Sequence, residues 1–452
     1  MVSAHTYVGF GFGAIQAGLT LYEAFISGAF RRLVVAEVLP DVVAAVRQAA
    51  GRYCVNIAHA DRIERATVGP IAIENPAVPE DRARLIAAIA EAAEIGVAVP
   101  SVKFYVSDSP GSLHRILAAG LREKADRRGP RAVVYAAENH NHAAEILAEA
   151  VFSEVPSGER PAVHRRVRFL NTVIGKMSGV VTDPVEVRDR GLASITEGLG
   201  RAFLVEAFNR ILISQVRFPG PRFRRGIAVF QEKPDLLPFE EAKLYGHNAT
   251  HALAAYLARI AGIARIADLR ATAGMMAFLR AAFIEESGAM LIRRHAGVDP
   301  LFTPAGYTAY ADDLLARMTN PYLGDTAERV GRDPQRKLGW DDRLVGTIRA
   351  ALQAGVTPRR YAVGAAAALA TLHPELLASD AGLAALCAPL WSESAPAQDE
   401  VAAVLAQVEA GLQVVRRWRA AGFPMLEGLI GAEPLSATLR SSVASIRATT
   451  TD

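Results

Sequence analysis

Short apolar runs alternate with helix-like stretches over about the first 180 residues of the chain. Runs typical of strands lie at Thr6–Val8, Arg32–Ala36, Ile95–Val99 and Ala132–Ala137, and helical patterns lie at Gly13–Phe25, near Asp41–Ala50 and from about Asn141. Strands separated by helices require crossover connections, which favour a parallel sheet with helices on both faces. The pattern therefore predicts an α/β domain with a mostly parallel, doubly wound sheet.

The pattern changes in the second half of the chain, where few runs have the two-residue period of a strand. Apolar residues instead recur at helical spacing in Ala252–Ile263, Met275–Glu286 and Glu400–Ala420. We therefore predict the α/β domain over residues 1–203 and a mostly α-helical domain over residues 204–452.

Composition and charge narrow the class of protein. Of the 452 residues, 51% are hydrophobic and 21% are charged, which excludes a disordered chain. The 50 Lys and Arg residues against 47 Asp and Glu residues give a net charge of +3, which argues against a nucleic-acid partner. The two cysteines, Cys54 and Cys387, cannot build a disulfide framework, so we expect a reducing compartment.

The uncharged N-terminus shares only its apolar character with a targeting segment. No Lys or Arg precedes the apolar run, and Gly9, Gly11, Gly13 and Gly18 interrupt it. The Ala-rich stretch Ala362–Leu372 is shorter than the roughly 20 residues that a membrane-spanning helix needs. We therefore expect a cytoplasmic protein with no membrane partner.

The turn after the first predicted strand carries a candidate cofactor motif. Gly9, Gly11 and Ala14 fit the pattern G-x-G-x-x-G/A, with Phe12 and Gly13 between them. In that pattern the first glycine makes the tight turn, the second lets the backbone approach a pyrophosphate, and the third small residue keeps the helix close to the strand. Because the motif follows a strand and opens a helix, it predicts a dinucleotide-binding domain of the Rossmann type.

Glu37 indicates which dinucleotide is bound. It ends the second predicted strand, 23 residues after Ala14, where a carboxylate can accept hydrogen bonds from the adenosine ribose and repels a 2′-phosphate. The following residues, Val38–Pro40, include no arginine that could hold such a phosphate. NAD is therefore favoured over NADP. The alternative is an α/β turn that binds nothing, with Glu37 in solvent.

A second candidate site lies in the segment Lys243–His251. At 100° per residue, Lys243, Asn248 and His251 fall within an arc of roughly 140° on one side of a helix. A lysine whose pKa is lowered by burial from about 10.4 could take the proton of an alcohol, while an amide steadies its oxygen. From spacing alone, an ordinary polar helix surface is the commoner explanation.

Two histidine pairs raise the question of a metal site. His247 and His251 have the i,i+4 spacing of a zinc motif, but Asn248 stands where that motif has its general-base Glu. His140 and His142 lie on a predicted strand-to-helix loop, where histidines are more often simply polar loop residues. We therefore expect no metal ion at either pair.

Longer motifs accompany Lys243, Asn248 and His251, which together form the pattern K-x4-N-x2-H. They are Glu138-Asn139, Asp183–Val187, Ile284–Ile292, Asn320–Leu323 and Glu328–Leu338. Over about residues 6–360, this series resembles the polyol-specific long-chain dehydrogenases and reductases of the mannitol dehydrogenase family. The downstream motifs look most like the mannitol-1-phosphate branch of that family.

The resemblance implies a zinc-independent enzyme that transfers hydride between NAD(P) and a polyol or ketose. It implies that Lys243 is the general acid/base, that Asn248 donates to the reacting oxygen, and that His251 binds a neighbouring hydroxyl and orients the lysine. It also implies that Asn171 is the second amide of the oxyanion site. Glu138 and Asn139 correspond to cofactor-binding positions.

The same resemblance makes Arg329 and Lys337 substrate-contacting positions, and Arg332 lies between them. Several cations around one turn suit a phosphate or carboxylate. Pro334 interrupts any continuous helix, so the run is predicted to be a helix end, a turn and a helix start. The alternative is a solvated face that is paired with acidic neighbours.

Two segments near the expected substrate pocket depart from the family pattern, Ile174–Met177 and Leu212–Val216. Our hypothesis is an NAD-dependent dehydrogenase of a polyol or polyol phosphate, active as a monomer or homodimer. A hexuronate reductase or a dehydrogenase of a rare alditol is the alternative within this class. A non-catalytic NAD sensor and a metalloenzyme are the alternatives outside it.

Overall fold

The computed structural model describes residues 5–379 and 382–430. The chain divides into two compact units, Met1–Leu237 and Pro238–Asp452. The division falls later than the predicted boundary between residues 203 and 204. The correction has a physical reason, since two strands beyond that boundary pair within the sheet of the first unit.

The first unit contains two sheets within the described residues. Their strands, in chain order, are β1 (His5–Phe10), β2 (Phe30–Ala36), β3 (Tyr53–Ala58), β4 (Ile63–Val68), β5 (Ala72–Glu74), β6 (Ala92–Val97), β7 (Ala132–Ala136), β8 (Val167–Val173), β9 (Ser178–Val181), β10 (Ala202–Glu206), β11 (Ile211–Ser214) and β12 (Phe230–Lys233). The larger sheet has the order β12-β11-β8-β7-β6-β1-β2-β5. Its six strands from β8 to β5 are parallel, and β11 joins β8 in the antiparallel direction.

This strand order confirms the doubly wound sheet. β1 lies at the centre, with β2 and β5 on one side and β6, β7 and β8 on the other. The direction of winding reverses between β1 and β6, and in such sheets ligands bind at this point, outside the carboxyl ends of the strands. The fold therefore puts the end of β1 at the position that a bound dinucleotide requires.

Helices connect the strands of the first unit. They are α1 (Leu21–Ile26), α2 (Pro40–Gln48), α3 (Pro79–Glu91), α4 (Leu113–Asp126), α5 (Ala143–Ser153), α6 (Arg160–His164) and α7 (Pro184–Asp189). A π-helical turn, Gln16–Thr20, precedes α1, and a 3₁₀ turn covers Val102–Phe104.

The smaller sheet, with the order β4-β3-β10-β9, is absent from the sequence-based prediction. β3 pairs with β4 and β9 with β10 in the antiparallel direction, while β3 and β10 are parallel. β4 escapes a hydrophobic pattern search because Glu64 and Arg65 are exposed and only Val68 is fully buried. β10, in contrast, is buried along its whole length.

The second unit is helical, as predicted. Its helices are α8 (Leu237–Glu241), α9 (Ala249–Ile260), α10 (Met275–Ala281), α11 (Ala289–Arg294), α12 (Pro304–Met318), α13 (Ala327–Val330), α14 (Pro334–Lys337), α15 (Val345–Gln353), α16 (Arg359–Leu372), α17 (Leu383–Trp391), α18 (Gln398–Ala420) and α19 (Glu427–Ile430). Two π-helical turns, Ala242–Asn248 and Ala282–Gly288, lie between α8 and α9 and between α10 and α11. Short 3₁₀ turns cover Ile266–Ala271, Pro300–Phe302, Pro374–Leu377 and Ser392–Ser394.

Helix α16 is the buried centre of the second unit. Small residues let its neighbours approach closely: a Cβ on Gly364 would lie 2.6 Å from Leu253 Cδ1 of α9, and one on Gly411 of α18 would lie 2.4 Å from the Ala362 carbonyl oxygen. The buried Glu286 carboxylate accepts hydrogen bonds from the Arg360 and Tyr361 N–H groups at the first turn of α16. The alanine-rich stretch is therefore a core helix, whose small side chains set the spacing of the bundle.

No helix among the described residues combines the length and the apolar character needed to cross a membrane.

Candidate active site

The turn after β1 requires glycine at position 11. Gly11 has a φ of +81°, and a Cβ there would lie 2.6 Å from the Ala98 carbonyl oxygen. The Gly11 N–H donates to the Ala36 carbonyl oxygen at 3.0 Å, which ties the turn to the end of β2. The tight turn therefore falls at Gly11, one motif position later than predicted, because Gly9 is still part of β1.

Gly9 has a different task, since it lets the first helix pack against β1. A Cβ on Gly9 would lie 2.1 Å from Gln16 Nε2, and that amide donates to the buried Tyr7 hydroxyl at 2.7 Å. The Phe12 ring packs edge-on against Tyr53 and Phe203, with ring centroids 4.9 and 5.4 Å away. Phe12 could therefore contact a cofactor only through its backbone.

Gly13 opens the first helix and faces free space, since a Cβ there would meet no atom within 4 Å. The Ala14 side chain is buried, consistent with the close packing predicted for it. Helix N-termini with unobstructed backbone N–H groups attract anions. The turn from Gly11 to Ala14 thus has the shape and polarity that a pyrophosphate needs.

Glu37 stands beside this turn. It follows β2 directly, and its Oε1 accepts a hydrogen bond from the Leu39 N–H at 2.8 Å. Since the Gly11 N–H donates to Ala36, the residue before Glu37, the glycine turn and the carboxylate are neighbours at one edge of the sheet. The structure thus brings together the two features from which NAD was predicted.

Glu138 ties two loops together at the same edge. Its Oε1 accepts from the Val99 N–H at 2.9 Å, and its Oε2 accepts from the Tyr105 hydroxyl. Burial raises the pKa of Glu138 to about 7. The neighbouring Asn139 is exposed after β7. Glu138 therefore shapes the edge by holding the loop after β6, and Asn139 is the member of the pair that solvent reaches.

Asn171 is fully engaged within the first unit. Its Oδ1 accepts from the Ala144 N–H at 2.8 Å, and its Nδ2 donates to Glu145 Oε2 at 2.7 Å. Both groups belong to the first turn of α5, so the amide caps that helix. The Asn171 side chain is thus already held at the start of α5.

Two of the three catalytic candidates of the second unit, Lys243 and Asn248, share one π-helical turn. Lys243 and Asn248 lie five residues apart within Ala242–Asn248, and a π-helix closes its turns over five residues. The two side chains are therefore about one turn apart on the same face of the helix. In an α-helix they would be spread over the wider arc that the sequence analysis predicted. His251 follows three residues later on α9, which continues this face.

Gly246 lets the π-helical turn pack closely against its neighbours. A Cβ on Gly246 would lie 2.6 Å from the Tyr307 hydroxyl and 3.1 Å from Phe283 Cζ. Tyr307 is buried and shares a hydrogen bond of 2.9 Å with the Ser287 hydroxyl in the second π-helical turn. The two π-helical turns thus meet across small residues, and π-helical turns occur frequently at functional sites.

The surroundings of the Lys243 amine favour its neutral form more than water would. Burial, followed by the nearby positive charge of Arg343, lowers the pKa of Lys243 to about 8, against an opposing contribution from Glu240. A lysine with that pKa exchanges protons near neutral pH, where an unperturbed lysine would stay charged. Arg343, which the sequence reasoning missed, is therefore part of the electrostatics of the site.

His251 faces a buried carboxylate, Asp325, with 3.7 Å between His251 Nε2 and Asp325 Oδ2. Burial and the positive charges of Arg329, Arg343, Lys337 and Arg317 lower the pKa of His251 to about 3. The ring is therefore neutral at physiological pH. Asp325 was also missed, although it lies between two motifs that carried the family resemblance, Asn320–Leu323 and Glu328–Leu338.

The histidine pairs do not gather metal ligands. His247 is buried with a pKa far below its usual value, chiefly because of burial, and its ring centroid lies 6.4 Å from that of His251. The His140 and His142 rings are 6.2 Å apart on an exposed loop. Within residues 5–379 and 382–430, no three His, Cys, Asp or Glu side chains form a group that could hold a metal ion.

The basic run is a helix end, a turn and a helix start, as predicted, since α13 ends at Val330 and Pro334 opens α14. Much of its charge is compensated. Arg329 pairs with Asp325, and Arg336 Nε lies 2.7 Å from Asp333 Oδ2. Lys337 is buried, donates to the Arg332 carbonyl oxygen, and has a pKa of about 8, lowered mainly by burial.

The fold and these residues define an oxidoreductase-like architecture, a Rossmann-type unit followed by a helical unit that carries a half-buried lysine. Residues 235–417 match the mannitol dehydrogenase C-terminal domain family. This match covers most of the second unit, and it confirms the predicted resemblance to the polyol dehydrogenases of the mannitol dehydrogenase type.

Two solved structures resemble almost the whole chain. A D-sorbitol dehydrogenase in substrate-free form is 14% identical, with a TM-score of 0.72, over 94% of this chain and 96% of the other. The mannitol 2-dehydrogenase of Pseudomonas fluorescens, in ternary complex with NAD and D-mannitol, is 17% identical, with a TM-score of 0.66, over 96% of both chains. At such identities the likeness establishes the fold.

Proposed function

We propose that this protein is an NAD-dependent dehydrogenase that oxidises a secondary alcohol of a free polyol to the corresponding ketose, and catalyses the reverse reduction. The observation that carries the proposal is the π-helical turn that aligns Lys243 with Asn248 while burial lowers the lysine pKa to about 8. A base and an amide donor on one face are what the oxidation of an alcohol needs.

The residues at the end of β1 fit NAD. The positive φ of Gly11 and the open first helical turn at Gly13 suit a pyrophosphate, and Glu37 suits the adenosine ribose. NAD, when bound, supplies the hydride acceptor of the oxidation. The acidic Glu37, with no arginine among Val38–Pro40, supports NAD over NADP.

Protons and charge are handled by the residues of the second unit. Neutral Lys243 takes the hydroxyl proton of the alcohol, and in the reverse direction its ammonium returns that proton to the ketone oxygen. The Asn248 amide donates to the same oxygen, whose negative charge grows as the proton leaves. His251, neutral throughout the physiological range, binds a neighbouring hydroxyl of the polyol.

The ion pairs of the basic run support an uncharged polyol over a polyol phosphate. Arg329 and Arg336 each face a carboxylate, and Lys337 is buried against a backbone oxygen. A phosphate would have to displace these partners, whereas a hydroxyl can share them. The structural relatives named for sorbitol and mannitol favour hexitols of this kind.

A panel of substrates, followed by NADH absorbance, tests the proposal. Free hexitols are expected to reduce NAD, and polyol phosphates and hexuronates to react at least tenfold more slowly. Arg332→Ala provides the matched check: a phosphate site requires that it raise KM for phosphorylated substrates alone. NADH binding without turnover on any polyol, ketose or sugar acid would instead indicate a non-catalytic sensor.

We further infer that the reaction needs no zinc, because Lys243 supplies the proton acceptor and Asn248 the donor to the oxygen. Exhaustive dialysis against EDTA is expected to leave kcat unchanged. Activity lost on dialysis and restored by zinc would contradict this inference.

A further inference from the structure

Two buried polar atoms, one on His251 and one on Asp325, face each other in the second unit. In the described part of the chain, His251 Nε2 and Asp325 Oδ2 each lack a hydrogen-bond partner, and they are 3.7 Å apart. Asp325 is 5% exposed, so water does not readily take the place of a partner. The other carboxylate oxygen, Oδ1, already pairs with Arg329.

The position of Asp325 is fixed by its backbone. The Ile266 N–H donates to the Asp325 carbonyl oxygen at 2.9 Å, and the Ala327 N–H donates to the Ala264 carbonyl oxygen at 2.8 Å. A β-bridge joins Arg265 to Thr326 between these two bonds. The chain that follows α9 thus holds the carboxylate, while α9 itself holds the histidine.

Only one arrangement of protons suits this pair. The Asp325 carboxylate, which is paired with Arg329, is negatively charged and offers only lone pairs. A lone pair on His251 Nε2 that faces Asp325 Oδ2 would therefore be repelled. A proton on Nε2 instead points an N–H donor at Asp325 Oδ2. Such a histidine keeps Nδ1 as its single acceptor, and it has no second donor while the ring is neutral.

We propose that Asp325 is a positioning residue that fixes His251 as the Nε2–H tautomer and at the same time aligns Arg329. His251 then acts as a hydrogen-bond acceptor through Nδ1, so it recognises a polyol hydroxyl, or the Lys243 ammonium, as a donor. One buried carboxylate thereby orients two predicted substrate contacts. The tautomer is a property of the protein alone, whereas its use in catalysis rests on the proposed function.

The tautomer can be measured without any turnover. Long-range ¹H–¹⁵N correlation spectra of histidine-labelled wild-type protein report which ring nitrogen carries the proton, and His251→Gln identifies the signals of His251 by their loss. The proposal expects a protonated Nε2 and an unprotonated Nδ1 near pH 7.5. The opposite pattern in the wild-type protein overturns it.

Kinetics test the positioning role. In Asp325→Asn the amide cannot accept from both His251 and Arg329, so we expect kcat for the best hexitol to fall at least tenfold while the Kd of NADH stays within twofold. Asp312→Asn removes an exposed carboxylate of α12 that pairs with Arg280 of α10, and it is the matched control. If both variants lose activity equally, or neither does, Asp325 has no positioning role. If the wild-type protein oxidises no polyol, the proposed function fails and the tautomer result stands by itself.

Discussion

Gly246 and Tyr307 are in contact so close that no side chain fits between them, since a Cβ on Gly246 would lie 2.6 Å from the Tyr307 hydroxyl. This contact lies inside the π-helical turn Ala242–Asn248, on the side of the helix that packs into the unit. It therefore connects the packing of the helical bundle to the spacing of Lys243 and Asn248.

The first prediction follows from this contact. Gly246→Ala is expected to destabilise the protein by about 1–3 kcal/mol, the usual cost of overpacking a core. It should also lower kcat at least tenfold, because relief of the clash moves the turn that aligns Lys243 with Asn248. Urea unfolding and NADH-linked kinetics measure the two effects.

Gly428→Ala is the matched control for this substitution. Gly428 lies in α19 of the same unit, and a Cβ there meets no atom within 4 Å. Alanine in a helix is ordinarily more stable than glycine by roughly 0.5–1 kcal/mol, so this variant should be neutral or slightly more stable. If Gly246→Ala is less stable but its kcat is unchanged, the close packing of the π-helical turn has no influence on catalysis.

The second prediction concerns the general base. Lys243→Ala is expected to lower kcat by at least a hundredfold, because general-base catalysis typically contributes 10²–10⁴-fold. The affinity for NADH, measured by fluorescence titration, should change less than threefold. Lys233→Ala, on the edge strand β12, should behave like the wild-type protein. A variant that keeps more than about a tenth of kcat would rule out Lys243 as the base.

The third prediction concerns pH. Oxidation requires the neutral lysine, so kcat/KM for the polyol should rise with pH and level off above the lysine pKa of about 8. Ketose reduction requires the ammonium form and should fall through the same range. Arg343 lowers this pKa by its charge, so Arg343→Gln should move both midpoints upwards, by roughly half to one pH unit.

Arg280→Gln controls for a general change in charge, because Arg280 is paired with Asp312 at the surface. Its pH profile should match that of the wild-type protein. If neither Arg343→Gln nor Arg280→Gln shifts the midpoint of the pH profile, the charge of Arg343 does not influence the titrating group.

Sequence patterns predicted those parts of the fold in which burial is uniform. The buried strands β1, β6 and β7 are nearly continuous apolar runs, so their parallel arrangement could be predicted. β11 and β12 were missed because they are only four residues long, and because two residues of β11 and three residues of β12 are not fully buried. The boundary between the units was misplaced for that reason.

The site was predictable as a set of residue types, and its geometry was not. Lys243, Asn248 and His251 were singled out by their resemblance to a family pattern, whereas the contact of Gly246 with Tyr307, which lies 61 residues further along the chain, could not be read from any local pattern. Asp325 was equally invisible, because its importance lies in facing His251 across two segments that are distant in sequence. Contacts of this kind carry no local pattern.

The last prediction concerns the choice of cofactor. Glu37 stands beside the Gly11 turn, with Oε1 held by the Leu39 N–H, so its position near a bound adenosine ribose does not depend on a mobile side chain. Glu37→Ser removes the negative charge that would repel a 2′-phosphate. The ratio of kcat/KM for NAD to kcat/KM for NADP should therefore fall at least tenfold, because the value for NAD decreases and the value for NADP increases. Titration with NADH and NADPH gives the same comparison without turnover.

Glu64→Ser, which removes an exposed carboxylate from β4, should leave the ratio unchanged. Equal ratios in the two variants would mean that Glu37 does not contact the ribose.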